Sequence, residues 1–229
     1  MPDTYEIHLV SDDALWDAFV RQALGGTIFS TSAWLNCAAR ATDGEAHRIG
    51  CFRNGNLIAG LSGLARKRSG LNRLETPELT PHTGLLLAPV QSKGPAKAEA
   101  EQHRACELLI DYLEKKYDHV FLVHPPAITD MRPFTWRNWD ARLRYTYQID
   151  PSDSEALWDK IERRPRTVIR KAEKLGYALQ PTDDVALFRR LYEALYNKQS
   201  DGAPVAADTA ERFVAAVLKT GLGQAYKIE

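Results

Sequence analysis

Cysteine is scarce: Cys37, Cys51 and Cys106 are the 3 cysteines in 229 residues, and none forms a C-x-x-C pair. An odd, sparse set flanked by apolar or small residues points to buried thiols in a reducing compartment, not to a disulfide framework. Net charge is also missing, because 30 Lys and Arg balance 30 Asp and Glu. That excludes a uniformly basic nucleic-acid binder, with DNA as a partner, and an acidic tail protein. The longest apolar run, Leu85-Leu-Leu-Ala-Pro-Val90, is far too short to span a bilayer. The start, Met1-Pro2-Asp3, lacks a basic stretch leading into an apolar one, so a cytoplasmic protein without a secretory leader is expected. No H-E-x-x-H, Walker loop, G-x-S-x-G or metal-spaced cluster occurs, and no metal is expected.

What is present is an ordinary globular composition, 44% apolar and 26% charged. It also contains a faint internal repeat. Tyr5-Glu-Ile-His-Leu9 followed by Ala14-Leu-Trp-Asp17 resembles Tyr145-Thr-Tyr-Gln-Ile149 followed by Ala156-Leu-Trp-Asp159, 142 residues later. Gly44-Glu-Ala-His-Arg-Ile49 is echoed by Gly223-Gln-Ala-Tyr-Lys-Ile228. Two copies of one strand-helix-helix-strand unit are expected, with a first domain over 1–144 and a second over 145–229.

Local patterns fill in the first copy. Strand 5–10 leads to a helix over 12–24, capped by Ser11, with Leu15, Phe19 and Ala23 as its apolar stripe. A second helix covers 31–41. Strands 46–52 and 57–65 are joined at Asn54-Gly55, a hairpin signal. A strand over 83–88, a helix over 97–117 and a buried strand at Val120–Val123 follow. In the helix, Ala105, Leu108, Leu109, Tyr112 and Leu113 share one face. Trp136 and Trp139 are expected to pack a domain seam, with solvated arginines beside them. The second copy opens with a strand from 145 and a helix capped by Ser152 with Glu155. Pro165 restarts the helix and Gly176 ends it. Helices over 184–197, striped by Leu187, Leu191 and Leu195, and over 209–220, opened by Asp208, precede a last strand from Gln224. That strand has no hairpin partner in the sequence. Its unpaired edge is an aggregation hazard, so a fragment, the first copy or a homo-oligomer covering the edge is expected.

One segment carries chemistry of its own. After Pro165, Val168, Ala172 and Leu175 fall on one helix face, expected to be the core face, while Arg166, Arg170 and Lys174 fall opposite. Arg163, Arg164 and Arg166 surround a helix N-terminus, where free N–H groups and the dipole favour anions. Arginine forks bind phosphate bidentately. Arg163, Arg166, Arg170 and Lys174 therefore form a candidate phosphate site, suited to a nucleotide-sugar or a lipid-linked pyrophosphate. A solvated face paired to Glu162 and Glu173 is the other reading. His82, His124, Glu75 and Tyr145 flank expected strand ends and are candidates for a general base or an oxyanion donor.

The element order resembles a GNAT acyltransferase domain, and two in tandem resemble the FemAB family. Three segments carry the resemblance: Ile28-Phe-Ser-Thr-Ser-Ala-Trp34-Leu35, similar to an F-x-S-x-x-W helix opening; Thr83-Gly-Leu-Leu-Leu-Ala-Pro89, similar to a Gly-rich central strand; and Arg163–Gly176, similar to R-x-x-I-R-K-A-x-x-x-G. The resemblance implies an α/β (α+β) fold with a mostly antiparallel sheet flanked by helices, in tandem with an incomplete second copy. It implies acyl or aminoacyl transfer to an amine, with acyl-CoA or aminoacyl-tRNA as donor. Gln91, Gly94 and Ala96 fit the Q/R-x-x-G-x-G/A pyrophosphate loop of GNAT domains, whose N–H groups cradle phosphates. Cell-wall members commonly carry Lys where Ala38 stands, so the resemblance is nearer the envelope and exopolysaccharide branch. It implies a small-molecule or lipid-linked sugar as substrate and peripheral membrane contact. A truncated, non-catalytic binding module is the alternative, and an RNA-binding protein using Arg and Trp a third.

Overall fold

The computed structural model describes residues 3–89, 94–198 and 202–229. In chain order the elements are β1 (Tyr5–Leu9), α1 (Asp13–Gln22), a 3-10 turn (Ile28–Ser30), α2 (Ser32–Thr42), β2 (Glu45–Arg53), β3 (Asn56–Arg68), β4 (Leu71–Glu75), β5 (Gly84–Leu87), α3 (Pro95–Lys116), β6 (His119–Phe121) and α4 (Arg132–Thr135). Then come α5 (Ser154–Lys160), α6 (Arg163–Lys174), β7 (Leu179–Thr182), α7 (Val185–Tyr196), α8 (Ala207–Lys219) and β8 (Ala225–Ile228). The fold is α/β, with a mostly antiparallel sheet flanked by helices.

The first sheet has the order β1-β2-β3-β4-β6, with β5 also on β3. β3 is long enough to serve two partners on one edge. Residues 59–62 pair with β5, and residues 64–68 pair with β4. The parallel pairing is β4 with β6. Side chains alternate across this sheet. Ile49, Cys51, Leu61, Leu74, Leu85 and Leu87 face the buried stripe of α3, Ala105, Leu109 and Leu113. Leu86 and Phe52 face the other way, onto Trp16, Phe19 and Val20 of α1. All 3 thiols are buried, as expected; burial pushes Cys51 up to about 11 and Cys106 to about 12. Gly60 is fixed by close approach: a Cβ there would stand 2.9 Å from the Trp16 ring.

Several expectations need correction. Asp12, not Ser11, caps α1, accepting from the Leu15 N–H at 3.0 Å. That one-residue slip rotates the stripe to Trp16, Phe19 and Val20 and leaves Leu15 44% exposed. Asp153, not Ser152, caps α5 for the same reason. α8 has no side-chain cap, and Asp208 instead meets Arg189 at 2.7 Å. On α7 the inward row is Phe188, Tyr192 and Tyr196, ring on ring at 5.7 and 4.7 Å, while Leu191 and Leu195 face out. β6 is a sheet edge, so Phe121 is exposed instead of buried.

Two further corrections concern the connector. Trp136 and Trp139 do not pack a seam between units, and the arginines beside them are not simply solvated. Trp139 donates to Glu114 at 3.0 Å, Arg137 bonds Asp111 at 2.8 Å and also Glu114, and Arg132 bonds Asp130 and Glu99. These bonds pin the segment onto α3. Residues 145–150 form no strand; Tyr145 and Tyr147 are 91% and 98% exposed. The antiparallel partner of β8 is β7, the place where the repeat would have put residues 145–150.

The second strand-helix-helix-strand unit in the structure is therefore β7-α7-α8-β8. Its α7 is capped by Asp184, accepting from Leu187 N–H at 2.8 Å, as Asp12 accepts from Leu15. Counting from Gly44 and Gly223, Trp34 of α2 corresponds to Phe213 of α8. These two rings meet edge to face at 5.4 Å, so α2 and α8 touch at equivalent positions. Cys37 Sγ lies 3.6 Å from Thr220 Oγ1, and Arg212 donates to the Ala41 carbonyl at 2.8 Å. That bond satisfies a carbonyl left open at the α2 C-terminus.

Candidate functional site

The sheet opens where β4 and β5 part along β3. Thr76 and Thr83 stand at this fork, their hydroxyls 3.3 Å apart. The strand leaving β6 runs through it: Thr76 N–H donates to Phe121 O at 2.9 Å, Val123 N–H to Thr76 Oγ1 at 2.8 Å, and Thr83 N–H to Val123 O at 3.0 Å. His124 completes the line, its Nδ1 accepting from Leu85 N–H at 3.0 Å. An accepting Nδ1 puts the ring proton on Nε2. Dense surroundings pull His124 down to about 4, so it is neutral near pH 7. Gly84, at φ +68°, makes room, since a Cβ there would lie 2.6 Å from Nδ1. His124 is thereby committed to the backbone.

His82 lies on the loop between β4 and β5. Its ring stands edge-on to Phe29 at 5.1 Å, and Phe29 stands edge-on to Trp34 at 4.9 Å. Trp34 Nε1 donates to Thr80 Oγ1 at 3.0 Å, while Trp16 Nε1 donates to Ser30 O at 2.8 Å. The Phe29–Trp34 segment and His82 thus share one packed aromatic cluster, continued by Phe213 of α8 against Trp34. Burial lowers the His82 pKa, and among the described residues its buried Nδ1 has no hydrogen-bond partner. A neutral imidazole with an unengaged nitrogen is able to accept a proton.

The other sequence-derived candidates lie apart from this cluster. Glu75 is taken up by Arg73 at 2.7 Å and stands 3.6 Å from His119. Tyr145 is exposed on the connector. Arg163, Arg166, Arg170 and Lys174 all lie on α6. Arg166 stands 3.8 Å from Asp159, and the Arg170 guanidinium lies 5.7 Å from the Trp158 ring centroid. α6 has no side-chain N-cap, so its first N–H groups are unclaimed by a side chain. The expected core face of α6 is not a core face, because Val168 and Leu175 are 61% and 64% exposed. Gly94 is the N-cap of α3, with Pro95 and Ala96 in the exposed first turn. Gln91 lies outside the described residues.

Sequence reasoning missed a polar cleft of ≈ 230 Å³ between the first unit and α8, lined by Thr42, Asp43, Arg66, Glu78, Thr209 and Arg212. Arg66 and Glu78 pair fork to fork at 2.6 and 2.5 Å, which holds the Glu78 carboxyl below its usual range. Sequence pattern offered no signal, since these residues come from opposite ends of the chain. Glu99, His103 and Asp130 also converge, with ligand atoms within 4.8 Å of one another. They are metal-binding types, but the Arg132 guanidinium bonds both carboxylates and supplies the compensating positive charge.

No protein-family model matches the sequence, and no curated protein matches it. Among solved structures, a crystal structure of FemX superposes over 100% of this chain with a TM-score of 0.63 and 14% identity. The chain spans 57% of the FemX length. A ribosomal-protein-alanine N-acetyltransferase from Brucella melitensis biovar Abortus 2308 aligns with 64% of this chain and 99% of its own, at a TM-score of 0.36 and 19% identity. By its shape, then, this chain has a FemX-like fold.

Proposed function

We propose that the protein is a FemAB-like acyltransferase that moves an acyl or aminoacyl group onto an amine of a cell-envelope or exopolysaccharide precursor in the cytoplasm. The observation that carries this reading is the aromatic cluster in which Phe29, Trp34 and His82 meet at the contact with α8. It unites a segment singled out by the resemblance with a neutral imidazole. The FemX-like fold supports the same class. The acceptor amine attacks the donor carbonyl, and the C–S bond of an acyl-CoA, or the ester C–O bond of an aminoacyl-tRNA, breaks. His82 takes the amine proton, which passes to the leaving thiolate or alkoxide. Arg163, Arg166, Arg170 and Lys174 hold the phosphates of a nucleotide-linked or lipid-linked sugar at the α6 N-terminus, and Gln91, Gly94 and Ala96 bind the pyrophosphate of the donor. No metal enters the step as written. No described helix is long and apolar enough to cross a membrane, and the lipid-linked substrate is met by peripheral contact.

Two measurements test the reading. Titration with a nucleoside-diphosphate sugar is expected to show binding that weakens about tenfold or more in R166A/R170A, because forked phosphate contacts are lost. Unchanged affinity contradicts the α6 assignment. Release of free thiol from acyl-CoA, dependent on acceptor and abolished in H82Q, is expected of the transferase. A non-catalytic binding module is the second reading, favoured by the open edge of β8; sugar binding without thiol release would select it.

A further inference from the structure

Residues 76–83 link β4 to β5 and carry His82. They are held at more points than a surface loop needs. Thr76 Oγ1 accepts from Val123 N–H and Thr83 N–H donates to Val123 O, so both ends are tied to one residue. Between the ends, both terminal nitrogens of Arg66 grip Glu78, at 2.6 and 2.5 Å, and Trp34 Nε1 donates to Thr80 Oγ1 at 3.0 Å. Thr80 Oγ1 in turn donates to Glu78 O at 3.4 Å, closing the turn between them. Pro77 and Pro81 fix their own φ and bias Thr76 and Thr80 toward extended backbone.

Leu79, in the middle of this strap, has φ +57°. Glycine takes this left-handed backbone freely, whereas the Cβ of a leucine crowds the following carbonyl. Asp43, Asn54 and Asn138 also have positive φ, but they are of the types enriched there. Leu79 is 37% exposed and belongs to none of the apolar clusters of the first unit, so burial of its side chain does not hold the turn. Strain of this kind persists only where the surroundings over-determine it. Here the surroundings are the two neighbours in sequence, Glu78 fixed to Arg66 and Thr80 fixed to Trp34.

We infer that Leu79 is the positioning residue of His82: its left-handed turn, locked by Glu78 on Arg66 and Thr80 on Trp34, turns the strap back and sets the imidazole against Phe29. The same pair of rings receives both parts of the strap. Trp34 holds Thr80, Phe29 stands edge-on to Trp34 at 4.9 Å, and His82 stands edge-on to Phe29 at 5.1 Å. With Leu79 at an ordinary negative φ the chain leaves the turn in another direction, and Glu78 and Thr80 no longer reach both of their partners. The use of His82 as a base rests on the transfer reading above; its placement by the strained turn does not.

Two substitutions separate the backbone of Leu79 from its side chain. Leu79→Gly removes the side chain and keeps the left-handed turn accessible. Leu79→Val keeps apolar bulk, but a β-branched residue does not fit that backbone. NMR reads the outcome without any substrate, through the ring-to-ring NOEs between His82 and Phe29. These NOEs are expected to persist in Leu79→Gly and to be lost in Leu79→Val and Glu78→Ala. In the last two the His82 titration also returns toward about 6.5, as the ring enters water. The Trp16–Phe19 ring contact, on the other side of the unit, reports folding; if Leu79→Val does not fold, Leu79→Gly and Glu78→Ala decide. Loss of the NOEs in Leu79→Gly, or their survival in Leu79→Val or Glu78→Ala, overturns the inference. A protein that keeps these signals but releases no thiol from acyl-CoA contradicts the transfer reading alone.

Discussion

The two strand-helix-helix-strand units share a cap, a strand pairing and a contact point, yet one is closed and the other open. In the first, β2 lies between β1 and β3, and α3 buries Ile49 completely. In the second, β8 has one neighbour among the described residues, and Ile228 stands in solvent. The same local chemistry thus builds the same local structure, and burial is decided by what the rest of the sheet supplies. Amphipathic pattern alone does not tell a buried face from an exposed one.

The largest expected effect separates equivalent residues. Ile49→Ala is expected to cost about 2–5 kcal/mol, the range for emptying a buried aliphatic site. Ile228→Ala is expected to change stability by less than about 0.5 kcal/mol. Urea unfolding of the two variants checks this, and equal losses would erase the distinction.

Acid should also act on the first unit. His124 is held down to about 4 and His82 is lowered too, both by burial. Their unfolded forms titrate near 6.5, so the unfolded state binds more protons below that pH. Stability is complete above 6.5 and is lost as pH falls toward 4. For His124 the loss is of the order of 2–3 kcal/mol after allowance for partial exposure. Unfolding followed by Trp16 fluorescence from pH 7 to pH 4 would show it. A flat profile would mean that both rings are solvated.

The contact between the units comes next. Trp34→Ala and Phe213→Ala are each expected to destabilise the protein, and their double-mutant cycle should return a coupling of about 0.5–1.5 kcal/mol, as for other edge-to-face pairs. Additive losses would show that the rings do not meet. The smallest effect sharpens the likeness: Asp12→Ala and Asp184→Ala should each cost about 1 kcal/mol, because each removes one helix cap. Thermal unfolding of the two variants compares them.

Much of the fold was legible in the sequence. The α3 stripe, the Asn54-Gly55 hairpin and Gly176 as a helix stop (φ +80°) follow from periodicity and turn chemistry. Caps slipped by one where two capping residues adjoin, as at Ser11-Asp12, and the structure takes the one that turns Trp16 inward. The repeat was anchored on letters shared by α1 and α5. Its structural counterpart is α7, where Asp184-Val-Ala-Leu-Phe188 matches Asp12-Asp-Ala-Leu-Trp16 in cap, Ala and Leu, with Phe in place of Trp. The site was legible only in part. Phe29 and Trp34 were marked by a motif and His82 by its place near a strand end. The bond from Arg212 to Ala41 joins residues 171 apart and that from Val123 to Thr76 residues 47 apart, and the Arg66–Glu78 and Thr76–Thr83 contacts follow no helix or strand period.

The most direct measurement is residue-resolved hydrogen exchange on the 229-residue chain, comparing β2 with β8. Arg48, Ile49 and Cys51 are expected to exchange only through large-scale unfolding. Within β8, Ala225 and Lys227 should show intermediate protection from β7, and Tyr226 and Ile228 nearly none. Protection at Tyr226 and Ile228 equal to that of Ile49 would contradict the account, because β8 would then already be enclosed within this chain.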